Sequence, residues 1–305
     1  WAMNKLCVIT GLTATGKSQL AIDIAKATNA IILSVDSVAV YKELSIASAA
    51  PTPSQQEHVP HYGIGIVSIQ DGMDVARFQA YALNVIEEAF SQGKKVILVG
   101  GSGLYLNAIL FDYVFTQADP ISHEYDQVDN ETLYKWMIEK DPTLAQSIHP
   151  NNRKRLIRAL VLMDELQTTK TLHLEKQTKQ LRYPTKIITC DMENRDVHRQ
   201  LMSQRVDQMI EEGLMQEVMN AYALVDFSHP AMSAIGVKQW EGVFNQSISL
   251  ETGIELIKTK THQFAKRQRT WFKHQLNSEW LMMDHPEHVK QKKEECIQWL
   301  NNSQE

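Results

Sequence analysis

Short, uniformly apolar runs alternate with amphipathic stretches along the first part of the chain. Leu6-Cys7-Val8-Ile9-Thr10, Ile31-Ile32-Leu33-Ser34-Val35 and Lys95-Val96-Ile97-Leu98-Val99 are too short for helices and lack polar alternation, as strands buried on both faces do. Between them, Leu20, Ala21, Ile24 and Ala25 recur at helical spacing within Gln19–Ala27, and Val75–Ser91 reads as a second helix. Strands alternating with helices predict a parallel α/β sheet. From about Thr116 to Tyr183 the pattern turns helical, around Glu131–Glu139 and Arg153–Leu166, punctuated by Pro120, Pro142, Pro150 and Pro184. Lys186-Ile187-Ile188-Thr189-Cys190 returns to strand character. We therefore expect an α/β core over residues 3–116 and 185–305, interrupted by a helical insertion over 117–184. Helices are expected at His198–Ala223, Gly236–Phe244 and Leu250–Leu276, then a short strand Trp280–Met283 and a final helix.

Composition adds exclusions. Hydrophobic residues make up 43% and charged residues 22%, the balance of an ordinary soluble domain. No apolar run approaches the roughly 18 residues of a membrane span. Cys7, Cys190 and Cys296 form no CxxC pair, which argues against a disulfide framework or a zinc ribbon and fits a reducing cytosol. With no signal-peptide pattern at the start, the expectation is a cytoplasmic monomer with no membrane partner. The net charge of −5 opposes indiscriminate nucleic-acid binding. Two basic clusters stand against that background: Arg153, Lys154, Arg155 and Arg158, then Lys258, Lys260, Lys266, Arg267, Arg269 and Lys273 with Phe264, Trp271 and Phe272 interleaved. Either alone reads as a solvated helix face; two on an acidic chain weaken that reading.

The most specific chemistry lies after the first strand. Gly11-Leu12-Thr13-Ala14-Thr15-Gly16-Lys17-Ser18 matches G-x-x-x-x-G-K-[ST], with a strand before it and a helix after it. Gly11, Thr13, Ala14, Thr15, Gly16, Lys17 and Ser18 are expected to cradle phosphates. Lys17 would neutralise their charge, and the Ser18 hydroxyl would ligate Mg²⁺. An ATPase or GTPase also needs an acid at the end of a buried strand to hold Mg²⁺. The strand Val96–Val99 runs instead into Gly100-Gly101-Ser102-Gly103. The acid at a strand end is Asp36, directly after Val35. Ligands bind outside the carboxyl ends of parallel strands, so Asp36, Ser102 and the loop should meet in one crevice. A carboxylate, a hydroxyl and a diphosphate cradle suit deprotonation of a nucleophile beside a diphosphate leaving group. On residues alone, a kinase acting on a nucleotide or small metabolite fits almost as well.

The loop, together with Ser34-Val35-Asp36-Ser37-Val38-Ala39-Val40-Tyr41-Lys42 and Val59-Pro60-His61, resembles blocks of the bacterial tRNA dimethylallyltransferase family. So do Leu98–Tyr105, His149–Leu160, Arg205–Met209, Gly213–Val218, Ala234–Lys238 and Ala265–Phe272, in family order across nearly the whole chain. The resemblance implies a P-loop core whose helical insertion grips the anticodon arm of tRNA. Dimethylallyl diphosphate would lie with its diphosphate on the loop and Mg²⁺. The N6 amine of the adenine 3′ to the anticodon would be the acceptor. By analogy Asp36 is the general base, Ser102 hydrogen-bonds the diphosphate, and Lys17 stabilises it as it leaves. Asp36, Ser37, Val38 and Ala39 would lie against tRNA, as would Lys154, Arg155, Leu156, Ile157 and Arg158. Met232, Ser233, Ala234, Ile235, Gly236 and Val237 would join them, with Lys266 and Arg267. The chain departs from the family pattern at Ala39, at Ser45–Pro51, at Met219 and at Val237. Those departures keep open a weakly active relative that still binds tRNA.

Overall fold

The structure, a computed structural model, describes residues 4–111, 125–166 and 180–302. Among them, six strands form one sheet in the order β3-β2-β4-β1-β5-β6, every pairing parallel. The strands are β1 (Leu6–Gly11), β2 (Ala30–Ser34), β3 (His61–Tyr62), β4 (Lys95–Val99), β5 (Thr185–Asp191) and β6 (Glu279–Met282). Interleaved helices are α1 (Lys17–Thr28), α2 (Val75–Ser91) and α3 (Gly103–Leu110), followed by α4 (Asn130–Lys140), α5 (Pro142–Ala145) and α6 (Arg153–Leu166). After β5 come α7 (Arg195–Glu212), α8 (Leu214–Tyr222), α9 (Trp240–Phe244) and α10 (Leu250–Gln275), and after β6 comes α11 (Pro286–Asn301). No described helix is long and apolar enough to cross a membrane.

Period-two alternation explains why these strands read as unbroken apolar runs. Cys7, Ile9, Ile32, Ile97 and Ile188 share one core with residues of α1 and α11. Leu6, Val8, Ile31, Leu33, Val96 and Leu98 point the other way and are buried as well. There α2 packs against β4 and α3, with the rings of Phe78 and Tyr105 stacked at 4.4 Å.

The chain divides into two compact units, residues 1–110 with 181–305, and residues 111–180. The expected start of the insertion, residue 117, lies outside the described residues. The second unit has its own core of Leu133, Met137, Ile148, Leu156, Leu160 and Met163. Asp129 and Asp141 cap its helices α4 and α5 by accepting from Thr132 N and Leu144 N.

Two expectations are corrected. His198–Ala223 is two helices, because Gly213 takes φ 103°, ending α7 and starting α8. The helix expected from Gly236 begins at Trp240, the residues before it forming a turn in which Gly236 has φ 87°. Gly103–Leu110 forms helix α3; it is apolar almost throughout, so no amphipathic period marks it in the sequence.

Candidate functional site

The sheet delivers three loops to its carboxyl edge, and glycines let them run close together. A Cβ on Gly11 (φ 124°) would sit 2.2 Å from the Cys190 carbonyl oxygen, and one on Gly100 (φ 152°) 2.1 Å from that of Val35. No other residue fits either position.

The first loop, 11–18, joins β1 to α1. Ala14 and Gly16 take left-handed φ angles of 58° and 90°. Gly16 caps α1 without a side-chain hydrogen bond, which leaves the first amides of the helix available to an anion. Thr15 Oγ1 and Lys17 Nζ both donate to the Leu12 carbonyl, each at 2.8 Å. Ser18 is exposed, with no side-chain hydrogen bond among the described residues. Burial, and then the charge of Arg205, lower the Lys17 pKa to about 8, against weaker upward pulls from Cys190 and Asp36. An incoming diphosphate would restore the charge, so its affinity should hold below about pH 8 and fall above it as free Lys17 loses its proton. Titration calorimetry with inorganic diphosphate on either side of that pH checks the sign.

The second loop carries Asp36. Its Oδ1 accepts from Val38 N at 2.7 Å and from Ala39 N at 3.0 Å, so it caps the turn that follows β2. Its Oδ2 has no hydrogen bond among the described residues. The third loop brings Ser102, whose Oγ accepts from Ser37 N at 2.9 Å and lies 3.4 Å from Ser37 Oγ. Asp36 and Ser102 thus belong to one hydrogen-bonded unit. Downstream, the Glu217 carboxylate accepts from Ser45 Oγ, Ile46 N and Ala47 N, anchoring the segment where the sequence departs from its family pattern.

Arg205, on α7, was not singled out from the sequence. It is half-buried; burial lowers its pKa, while Asp36 and Glu212 oppose that. Its charge also acts on Lys17. The charges of Lys17, Arg205 and Asp36 thus act on one another, and two cations against one carboxylate favour an anionic ligand. Locally, Arg205 looked like any charge on a helix surface.

The basic clusters are sorted by their partners. Lys154, Arg155 and Arg158 are exposed at positions that fall on one side of α6, and Ile157 is half-buried. Arg153 instead donates to the carbonyls of Tyr125, Asp126 and Val128. Lys266 and Arg267 are exposed, whereas Lys258 pairs with Asp207 at 2.8 Å. Arg269 turns inward onto Asp191, which is 1% exposed and also held by Arg195. Burial pushes the Asp191 pKa up, but hydrogen bonds from Arg269, Met192 N and Arg195 outweigh it and hold the carboxyl low. Of the residues expected against tRNA, Ala39, Leu156, Met232 and Val237 have buried side chains. They support the surface rather than present to it. Ser37 and Ser233 are exposed, Val38, Ala234 and Ile235 half-buried, and Gly236 buried.

Residues 39–275 match the family model of IPP transferases. The chain belongs to the IPP transferase family. It is 37% identical over 285 residues to the tRNA dimethylallyltransferase of Macrococcus caseolyticus, covering 91% of each chain. To that of Bacillus subtilis it is 36% identical, covering 95% of this chain and 94% of the relative. A solved tRNA delta(2)-isopentenylpyrophosphate transferase from Staphylococcus epidermidis superposes with a TM-score of 0.72 at 32% identity, covering 97% of this chain and 98% of that one. A eukaryotic dimethylallyltransferase solved acting on tRNA gives 0.84 at 26% identity, over 95% of this chain and 77% of the other. The family match begins after the phosphate loop and Asp36, yet these relatives align over lengths that span nearly all of the chain.

Proposed function

We propose that this IPP transferase moves a dimethylallyl group from dimethylallyl diphosphate to N6 of the adenine 3′ to the anticodon of tRNA, releasing diphosphate. The observation that carries the reading is the meeting of Asp36, Ser102 and the Lys17 loop at the carboxyl edge of β1, β2 and β4. Asp36 Oδ2, free of the turn that Oδ1 caps, takes the N6 proton as the amine attacks the first carbon of the prenyl group. The carbon–oxygen bond breaks and its electron pair leaves with the diphosphate. Open amides of the loop, Lys17 and Arg205 meet that charge. Ser102 Oγ accepts from Ser37 N and donates to Ser37 Oγ only at 3.4 Å, a long bond that its proton can exchange for one to a diphosphate oxygen.

Mg²⁺ fits as a partner of the diphosphate. The described residues contain no cluster of three or more His, Cys, Asp or Glu side chains able to hold a metal, while Ser18 offers a free hard oxygen beside the loop. That suits an ion bound chiefly through phosphate oxygens and water. Ser18 would hold it, and the ion would neutralise charge on the leaving group.

The acceptor has to leave its base stack to reach this edge. Exposed Lys154, Arg155 and Arg158 suit contacts to tRNA phosphates, and so, considered separately, do exposed Lys266 and Arg267. The test is diphosphate release. It should require both dimethylallyl diphosphate and unmodified tRNA, with no consumption of ATP; conversion of ATP to ADP without tRNA would point to a kinase or ATPase instead.

A further inference from the structure

Helix α10 lies behind the site, and one of its residues bridges two of the three loops. Gln268 is 7% exposed. Its Oε1 accepts from Thr13 N at 3.1 Å, and its Nε2 donates to the Gly101 carbonyl at 3.4 Å. The fit is close on both sides. A Cβ on Gly101 would lie 2.5 Å from Gln268 Nε2, and one on Gly103 would lie 2.5 Å from the Trp271 ring, one turn further along α10. At the other end of the same residue, His198 Nε2 lies 2.9 Å from the Thr13 carbonyl oxygen. The tip of the phosphate loop is therefore gripped by α7 and α10 together.

We infer that Gln268 is a positioning residue that sets the phosphate loop and the Ser102 loop at a fixed separation for the reaction. The inference rests on the proposed function for its kinetic arm only. Only an uncharged group with an acceptor and a donor at its tip can serve both contacts. A carboxylate would face the Gly101 carbonyl with no proton to give and would add negative charge next to an anion cradle. By taking the Thr13 amide, Gln268 also leaves the amides beyond it to face the diphosphate. With Ser102 hydrogen-bonded to Ser37, the bridge extends from the diphosphate cradle to the turn that carries Asp36.

The experiment compares Gln268→Met, which keeps the bulk and removes both hydrogen bonds, with Gln268→Glu. Inorganic diphosphate affinity is measured by calorimetry, prenyl transfer by steady-state kinetics, and folding by thermal melting, across a pH series. For Gln268→Met the expected result is diphosphate binding weakened about tenfold, the size of one or two neutral hydrogen bonds. Its kcat should fall about a hundredfold, as for a misplaced reacting group, with the melting transition close to that of the unaltered protein. For Gln268→Glu both losses should shrink as pH falls. The protonated acid can accept from Thr13 N and donate to Gly101 as the amide does, and burial moves its titration up toward the working range. A space-filling role would give no such pH dependence. Wild-type affinity and kcat in Gln268→Met, or a Gln268→Glu deficit that is flat with pH, overturns the inference. If the unaltered protein itself transfers no prenyl group, the function proposal fails, and the diphosphate titration alone decides for or against Gln268.

Discussion

Replacing Asp36 with asparagine is expected to remove prenyl transfer while leaving the site built. The carboxylate does two jobs that this substitution separates. Oδ1 accepts from Val38 N and Ala39 N, and an asparagine oxygen can accept the same two bonds. Asparagine cannot take the N6 proton. General-base catalysis contributes about 10²–10⁴-fold, so single-turnover transfer should fall by that range, with tRNA and diphosphate still bound. Asp36→Ala loses the cap as well and should be less stable by about 1 kcal/mol, which thermal melting can read. Transfer at the wild-type rate in Asp36→Asn would take Asp36 out of the chemistry and leave it a turn cap.

Arg205→Met should give the second large effect. In the free protein Arg205 is a cost to Lys17, holding its pKa down beside burial. When the carbon–oxygen bond breaks, the same proximity places two cations where negative charge develops. Removing one such preorganised donor costs about 10²–10³-fold in kcat. The substitution also has a signature in pH. Without the neighbouring positive charge, free Lys17 keeps its proton to higher pH, so the alkaline fall in diphosphate affinity should move upward from about 8. Both effects together, in kcat and in the alkaline limb, mark Arg205 as part of the anion site. Loss of kcat with an unmoved alkaline limb would place it elsewhere.

How much of this could be read from the sequence followed the range of the interactions. Strands β1, β2, β4 and β5 were legible because burial on both faces leaves an apolar run that no surface element shares. The phosphate loop was legible because its glycines, lysine and serine act within one turn of chain. Long-range pairing was not legible. Arg269 looked like a member of an RNA-binding cluster until Asp191, the end residue of β5, claimed it. Gln268 carried no charge and belonged to no catalytic pattern, and its partners Thr13 and Gly101 lie on loops distant in sequence. The two-residue strand β3 was too short to show a period, and the left-handed Gly213 sat inside an otherwise continuous helical pattern. The buried side chains of Leu156, Met232 and Val237 show the same limit: a resemblance marks a surface segment without saying which of its side chains face inward.

A label-transfer assay follows the prenyl group itself. Purified protein is incubated with dimethylallyl diphosphate labelled in its prenyl carbons, Mg²⁺ and unmodified tRNA carrying adenine 3′ to the anticodon. A second tRNA carries guanine at that position. Label is expected on the first tRNA alone, recovered as N6-prenylated adenosine on digestion, and lost in Asp36→Asn. No label on either tRNA, with both still bound, or equal label on both, would contradict the proposed transfer.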